Sequence, residues 1–185
     1  MLRRIVVLAF AALTASLSFS CSEISRDTAP VEMVATVNQE IQLIDFADAG
    51  CGDLGTILLR AITKRTDVSD TRFLDIRLQR LRVSYVRTDG GSLIPQPFVQ
   101  TISGILPVNG TATLNRFFVF EVNALTQAPF AALQPNNGGI DPETGQPFVK
   151  MDVILEIFGE TLSGENVATT ARFPLTFCFN CGGCR

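Results

Sequence analysis

The chain has 185 residues, 46% hydrophobic and 18% charged, with 15 basic and 18 acidic side chains and a formal net charge of -3. It contains no histidine, which excludes Ser-His-Asp and Cys-His catalysis, histidine-ligated metals and imidazole pH switching. The slight acidity lacks the basic footprint that nucleic acid demands, and the length suits one domain with a real core.

The chain opens MLRRIVVLAFAALTASLSFSC. Arg3 and Arg4 form a short positive region, Ile5 to Leu13 an uncharged apolar run, and small residues flank Phe19 just before Cys21. That layout predicts a secretory signal, because the apolar run is too short and wrongly flanked for a spanning helix. At Leu17-Ser18-Phe19-Ser20-Cys21 the segment resembles the lipobox of bacterial lipoprotein precursors. Ser20 and Cys21 fit that pattern; Leu17 sits one place early and Phe19 is bulkier than the family's usual residue. The resemblance implies cleavage before Cys21, lipidation of that cysteine and, with Ser22 rather than aspartate after it, the outer membrane. Ordinary signal-peptidase cleavage after Ser18-Phe19-Ser20, giving a soluble periplasmic or secreted protein, is the alternative. Loss of Arg3 and Arg4 lowers the basic count to 13 against 18 acidic residues, a net of -5. Membrane attachment would therefore rest on acyl chains rather than on attraction to anionic lipid. The expected organisation is a signal over residues 1–20, a lipidated cysteine with a short polar tether over 21–30, and one domain over 31–185.

Beyond the tether the chain reads as strands. Weak patterns predict strands over residues 33–44, 56–64, 100–106 and 115–122. A stronger one begins at Ile76 and Leu78, slips phase at Gln79-Arg80 as a bulge would, and continues through Leu81, Val83 and Tyr85, with Arg82 and Arg87 read as out of step. Asp89-Gly90-Gly91 ends it in residues that accept positive φ. Leu125 to Leu133 is expected to be a short helix or turn interrupted by Pro129, and residues 134–147 a loop. Val149 to Ile157 and Val167 to Phe179 both alternate at period two and are joined by Ser163-Gly164-Glu165-Asn166, which predicts a hairpin. Pro174 places its strand at an edge or a bulge. The expected fold is an all-β, antiparallel two-layer β-sandwich, immunoglobulin-like in outline, with a small β-barrel as the alternative. Phe118, Phe120, Phe173, Phe177 and Phe179 are expected to fill the space between the sheets.

The strongest local feature is the cysteine set. If Cys21 carries lipid, Cys51, Cys178, Cys181 and Cys184 remain, an even number in an oxidising compartment, and are read as disulfide partners of undetermined connectivity. The alternative is a metal-binding module holding zinc or an iron-sulfur cluster on those four thiolates. Redox catalysis is disfavoured because the CxxC follows a strand instead of opening a helix. Asp45, Asp48 and Asp53, and Asn136, Asn137, Asp141 and Glu143, are oxygen-rich enough to suggest calcium, yet their spacing matches no calcium loop and they read as turn formers. Arg72, Arg77, Arg80, Arg82 and Arg87 form a basic stripe, read as a solvated face paired with neighbouring acids. No nucleophile elbow, phosphate loop or placed carboxylate pair is found. The sequence thus predicts a non-catalytic structural or binding module of the cell envelope, without catalytic residues, metal or cofactor. It is anchored to the membrane by lipid and open to an envelope protein partner, with no nucleic acid and no small-molecule substrate.

Overall fold

Fourteen residues of unbroken alternation make the longest strand of the protein. In the computed structural model, which describes residues 29–39, 42–48, 55–64, 71–115 and 117–183, that strand is β7 (Phe148–Thr161). Its Val149, Met151, Val153, Leu155 and Ile157 are completely buried. The chain reverses through Ser163-Gly164, with Gly164 at φ +94°, into β8 (Asn166–Cys178). The predicted hairpin is therefore present, and its register runs from Phe148 opposite Cys178 to Glu160 opposite Asn166. Fully burying one large apolar side chain contributes about 1.5–3 kcal/mol, so these inward rows dominate the stability of the fold.

The remaining strands are β1 (Val31–Gln39), β2 (Leu43–Asp45), β3 (Gly55–Thr63), β4 (Ile76–Arg87), β5 (Phe98–Leu106) and β6 (Thr111–Asn115). They form two sheets, one of order β1-β3-β6 and one of order β2-β8-β7-β4-β5. No α-helix occurs among the described residues, only short 3-10 turns. The fold is all-β and two-layered, as expected. The five-stranded sheet curls, so that β1 meets β8 at one corner and β3 and β6 approach β5 at the other.

The bulge falls where the phase slip predicted it. The register of β4 on both β5 and β7 shifts between Leu78 and Arg80, which keeps Leu78 and Leu81 on the buried side. Beside it, Gly159 allows β4 and β7 to approach closely. A Cβ there would lie 2.6 Å from Ile76 Cγ2 and 3.0 Å from the Arg77 carbonyl oxygen.

Several expectations are corrected. The sandwich is not antiparallel throughout, because the chain leaves the small sheet after β1 and β2 pairs parallel with β8. The strand expected over residues 115–122 lies earlier, at β6, and the chain beyond it is irregular. There Phe117 and Val119 are the buried residues and Phe118 is 67% exposed, the reverse of the expected phase. Of the other phenylalanines, Phe173 and Phe177 are buried, and Phe120 and Phe179 pack partly buried against the core. Pro174 is not on an outermost strand. Thr176 N donates to the Gln42 carbonyl and Phe46 N to the Cys178 carbonyl, so even-numbered residues of β8 face β2. The β2 ladder covers only Thr176 to Cys178, and the nitrogen of Pro174 faces the side it does not reach.

Candidate functional site

Three constellations concentrate the polar chemistry of the described residues. The first is the C-terminal tail. Cys178, the last residue of β8, and Cys181 lie at disulfide-bonding distance, with Cα atoms 6.1 Å apart. The tail between and beyond them wraps the carboxylate of Asp45, the last residue of β2. Asp45 Oδ1 accepts from Asn180 N at 2.7 Å and Ala47 N at 3.0 Å, and Oδ2 from Cys181 N at 2.8 Å and Gly183 N at 3.0 Å. Burial pushes the Asp45 carboxyl up, but the N–H groups of Gly183, Ala47, Cys181 and Asn180 outweigh it and hold the acid below its ordinary range. Phe46 roots the clasp in an aromatic cluster with Phe120, Phe130 and Phe177, at centroid distances of 4.8–5.8 Å. Cys21, Cys51 and Cys184 lie outside the described residues, as does Asp53.

The second constellation surrounds Arg87. This residue was read as out of step and solvated, but it has the parity of Leu81, Val83 and Tyr85 and points inward at the end of β4 with 2% of its side chain exposed. Its Nε donates to Asp89 Oδ1 at 2.7 Å, and its Nη2 to Asp89 Oδ2 at 3.0 Å and to Asp141 Oδ2 at 2.8 Å. The Leu93 carbonyl accepts from Nη1 at 3.1 Å. Glu143 closes the group, accepting the Ser92 and Leu93 amides at 2.8 Å each. Burial pulls the guanidinium toward its neutral form, and the hydrogen bonds and charges of Asp89 and Asp141 more than reverse this. Both aspartates are pushed up by burial, then held below their ordinary range by Arg87 together with the backbone of Lys150 and Gly91 for Asp89, and with Thr144 for Asp141. Asp141 Oδ1 is buried and makes no hydrogen bond with the protein. The loop that looked rich enough in oxygen for calcium is thus filled by a guanidinium. Among the described residues no set of three or more histidine, cysteine, aspartate or glutamate side chains is arranged to hold a metal.

Arg77 and Arg82 of the basic stripe pair with neighbouring acids as read. On the outward face of the large sheet Arg77 pairs with Glu160 at 3.3 Å, Arg82 with Glu156 at 3.3 Å, and Arg172 with Asp152 at 2.6 Å. Arg80 differs. The bulge sets it opposite Phe158, and its guanidinium carbon lies 4.6 Å from that ring's centroid.

The third constellation is a groove of about 560 Å³ where β1 and β8 begin. Val31, Met33, Phe158, Val167 and Ala168 supply its apolar lining, and Glu32, Lys64, Gln79, Arg80, Asn166 and Thr169 its polar one. Its volume falls within the range of ligand sites, about 300–1,000 Å³. Sequence reasoning singled out Cys178 and Cys181 of the first constellation but read Asp45 as a turn former, misjudged Arg87 in the second and missed the third.

The chain matches no protein-family model, no curated protein and no solved structure. Its own geometry carries the functional argument.

Proposed function

We propose that the protein is an exported lipoprotein of the cell envelope, lipidated at Cys21, whose single β-sandwich domain is held by disulfides and serves as a non-catalytic structural or binding module. The observation that carries this reading is the tail, where Cys178 and Cys181 stand within bonding distance inside a clasp built on Asp45. Paired cysteines persist in oxidising compartments, which agrees with the export signal read at the N-terminus. A joined pair also takes two of the four thiolates that a metal cluster would need.

The two cysteines left over, Cys51 and Cys184, then pair with one another. Two described residues support this. A Cβ on Gly183, one residue before Cys184, would lie 3.4 Å from Oδ2 of Asp48, three residues before Cys51. At up to about 3.6 Å per residue, the short stretches from Asp48 to Cys51 and from Gly183 to Cys184 are compatible with that bridge. A bridge closing so long a loop removes about 4–5 kcal/mol of unfolded-state chain entropy in the simple model.

Intact-mass analysis of protein purified from native membranes tests the proposal. The expected mature chain starts at a diacylated or triacylated Cys21 and has no alkylatable thiol before reduction. An unmodified Cys21 at the N-terminus would favour the soluble exported alternative, and a chain retaining Met1 would overturn export altogether. Four alkylatable cysteines with stoichiometric zinc would replace the staples with the metal-binding alternative.

A further inference from the structure

The groove lies between two strand edges that do not pair. In the small sheet, Ala61 N donates to the Gly110 carbonyl and Lys64 N to the Pro30 carbonyl, so odd residues of β3 face β6 and even ones face β1. Glu32 and Val34 therefore exchange hydrogen bonds with β3, and the backbone of Val31 and Met33 points the other way, toward β8. On β8 the even residues Asn166 and Ala168 face away from β7. The ladder of β2 begins only at Thr176, and no backbone hydrogen bond joins β1 to β8 among the described residues. All four of these residues line the groove. The seam is zipped at one end by β2 and splayed at the other, with Asn166 and Ala168 exposed. Unpaired backbone at strand spacing is matched best by another extended backbone.

The side chains say what kind of strand fits. Arg80, Phe158 and Ala168 form one cross-strand row on the outward face. Arg77 and Arg82 each face a carboxylate, whereas Arg80 has no carboxylate partner among the described residues and lies over Phe158 toward the groove. The methyl group of Ala168 leaves the path from the edge of β8 to that guanidinium open.

We propose that this seam is a strand-docking site. An extended segment of a partner protein adds to the free edge of β8 over residues 166–170, its backbone bonding Ala168 and an acidic side chain reaching Arg80. This deepens the reading of the domain as a binding module and does not depend on the lipid anchor, so intact mass and peptide binding fail separately.

The test uses the full chain and two capped peptides of alternating valine and threonine, one with a central glutamate and one with glutamine in its place. Backbone NMR shifts and hydrogen exchange should place both peptides on residues 31–33 and 166–170, with the glutamate form bound about fivefold tighter, the scale of an exposed ion pair. Arg80→Gln should abolish that preference and leave the glutamine peptide unaffected. Ala168→Pro removes an edge donor that β7 does not use and should abolish binding of both. If Ala168→Pro loses its cooperative melt, the Arg80→Gln comparison decides alone. Absence of binding at millimolar peptide, equal affinity for the two peptides, or shifts confined to the edge of β5 would overturn the proposal.

Discussion

The protein buries aspartate carboxylates in two ways. Asp45 accepts hydrogen bonds from four backbone N–H groups, whereas Asp89 and Asp141 share one buried guanidinium. In both places desolvation opposes the charged form and local donors overcome it. The difference is in what one substitution undoes. The clasp spreads its charge over donors from a local turn and a tail, while the Arg87 cluster adds one guanidinium, shared by both aspartates, to the donors of Gly91, Lys150 and Thr144. A buried ion pair adds little net stability but is costly to break halfway. Failure of the clasp should free the tail, and failure of the Arg87 cluster should threaten the whole sandwich.

Arg87→Met should have the largest effect, because it leaves Asp89 and Asp141 buried beside an apolar chain. Removing one partner of a buried pair costs about 3–5 kcal/mol. Urea denaturation should show a much lower midpoint with an unchanged slope, reporting a destabilised but equally compact native state. A loss under about 1 kcal/mol would mean that the two aspartates protonate or hydrate at little cost, and the contrast with Asp45 would disappear.

Asp45→Asn should cost less, about 1–3 kcal/mol for strained or unmet backbone donors, and the loss should be local. Hydrogen exchange is expected to accelerate at Asn180, Cys181 and Gly183 well before the core strands. The pH dependence follows from the sign of the shift. A carboxyl held below its unfolded value, about 3.9, contributes fully above that value and loses its contribution as pH falls through the native one. The wild-type chain should therefore exceed Asp45→Asn in stability most at neutral pH, with the gap closing in acid. A gap constant down to the acid transition would show that geometry, not charge, holds the tail.

How much of this was legible in the sequence depended on range. The β7–β8 hairpin and the bulge at Gln79 were legible because period-two alternation over many residues, and a slip in it, is a local signal. β2 and β6 were not read as separate strands, being three and five residues long, too short for a period to stand out. Phe118 was assigned inward together with Phe120, yet a one-residue change of phase moves every side chain to the other face. Arg87 is the most instructive miss. Its parity with Leu81, Val83 and Tyr85 was visible, but an inward arginine is plausible only with buried carboxylates beside it. Asp141 lies 54 positions away in a loop, and no local pattern announces that it returns to Arg87. The groove was invisible for a similar reason, since it exists only where two sheet edges fail to meet.

Arg82 supplies the control that isolates burial from charge. It lies on β4 with Arg87 and pairs with Glu156 at 3.3 Å, but half of its side chain is exposed. Water already solvates both ions, so the pair gains little and salt screens it. Arg82→Gln should change stability by less than about 1 kcal/mol, and the small difference should vanish in high salt. The Arg87→Met loss should persist in the same buffer, because ions do not reach a guanidinium with 2% exposure. If both losses shrank together as salt rose, the Arg87 cluster would be a solvated surface network, and the division between a locally held carboxylate and a globally held one would collapse.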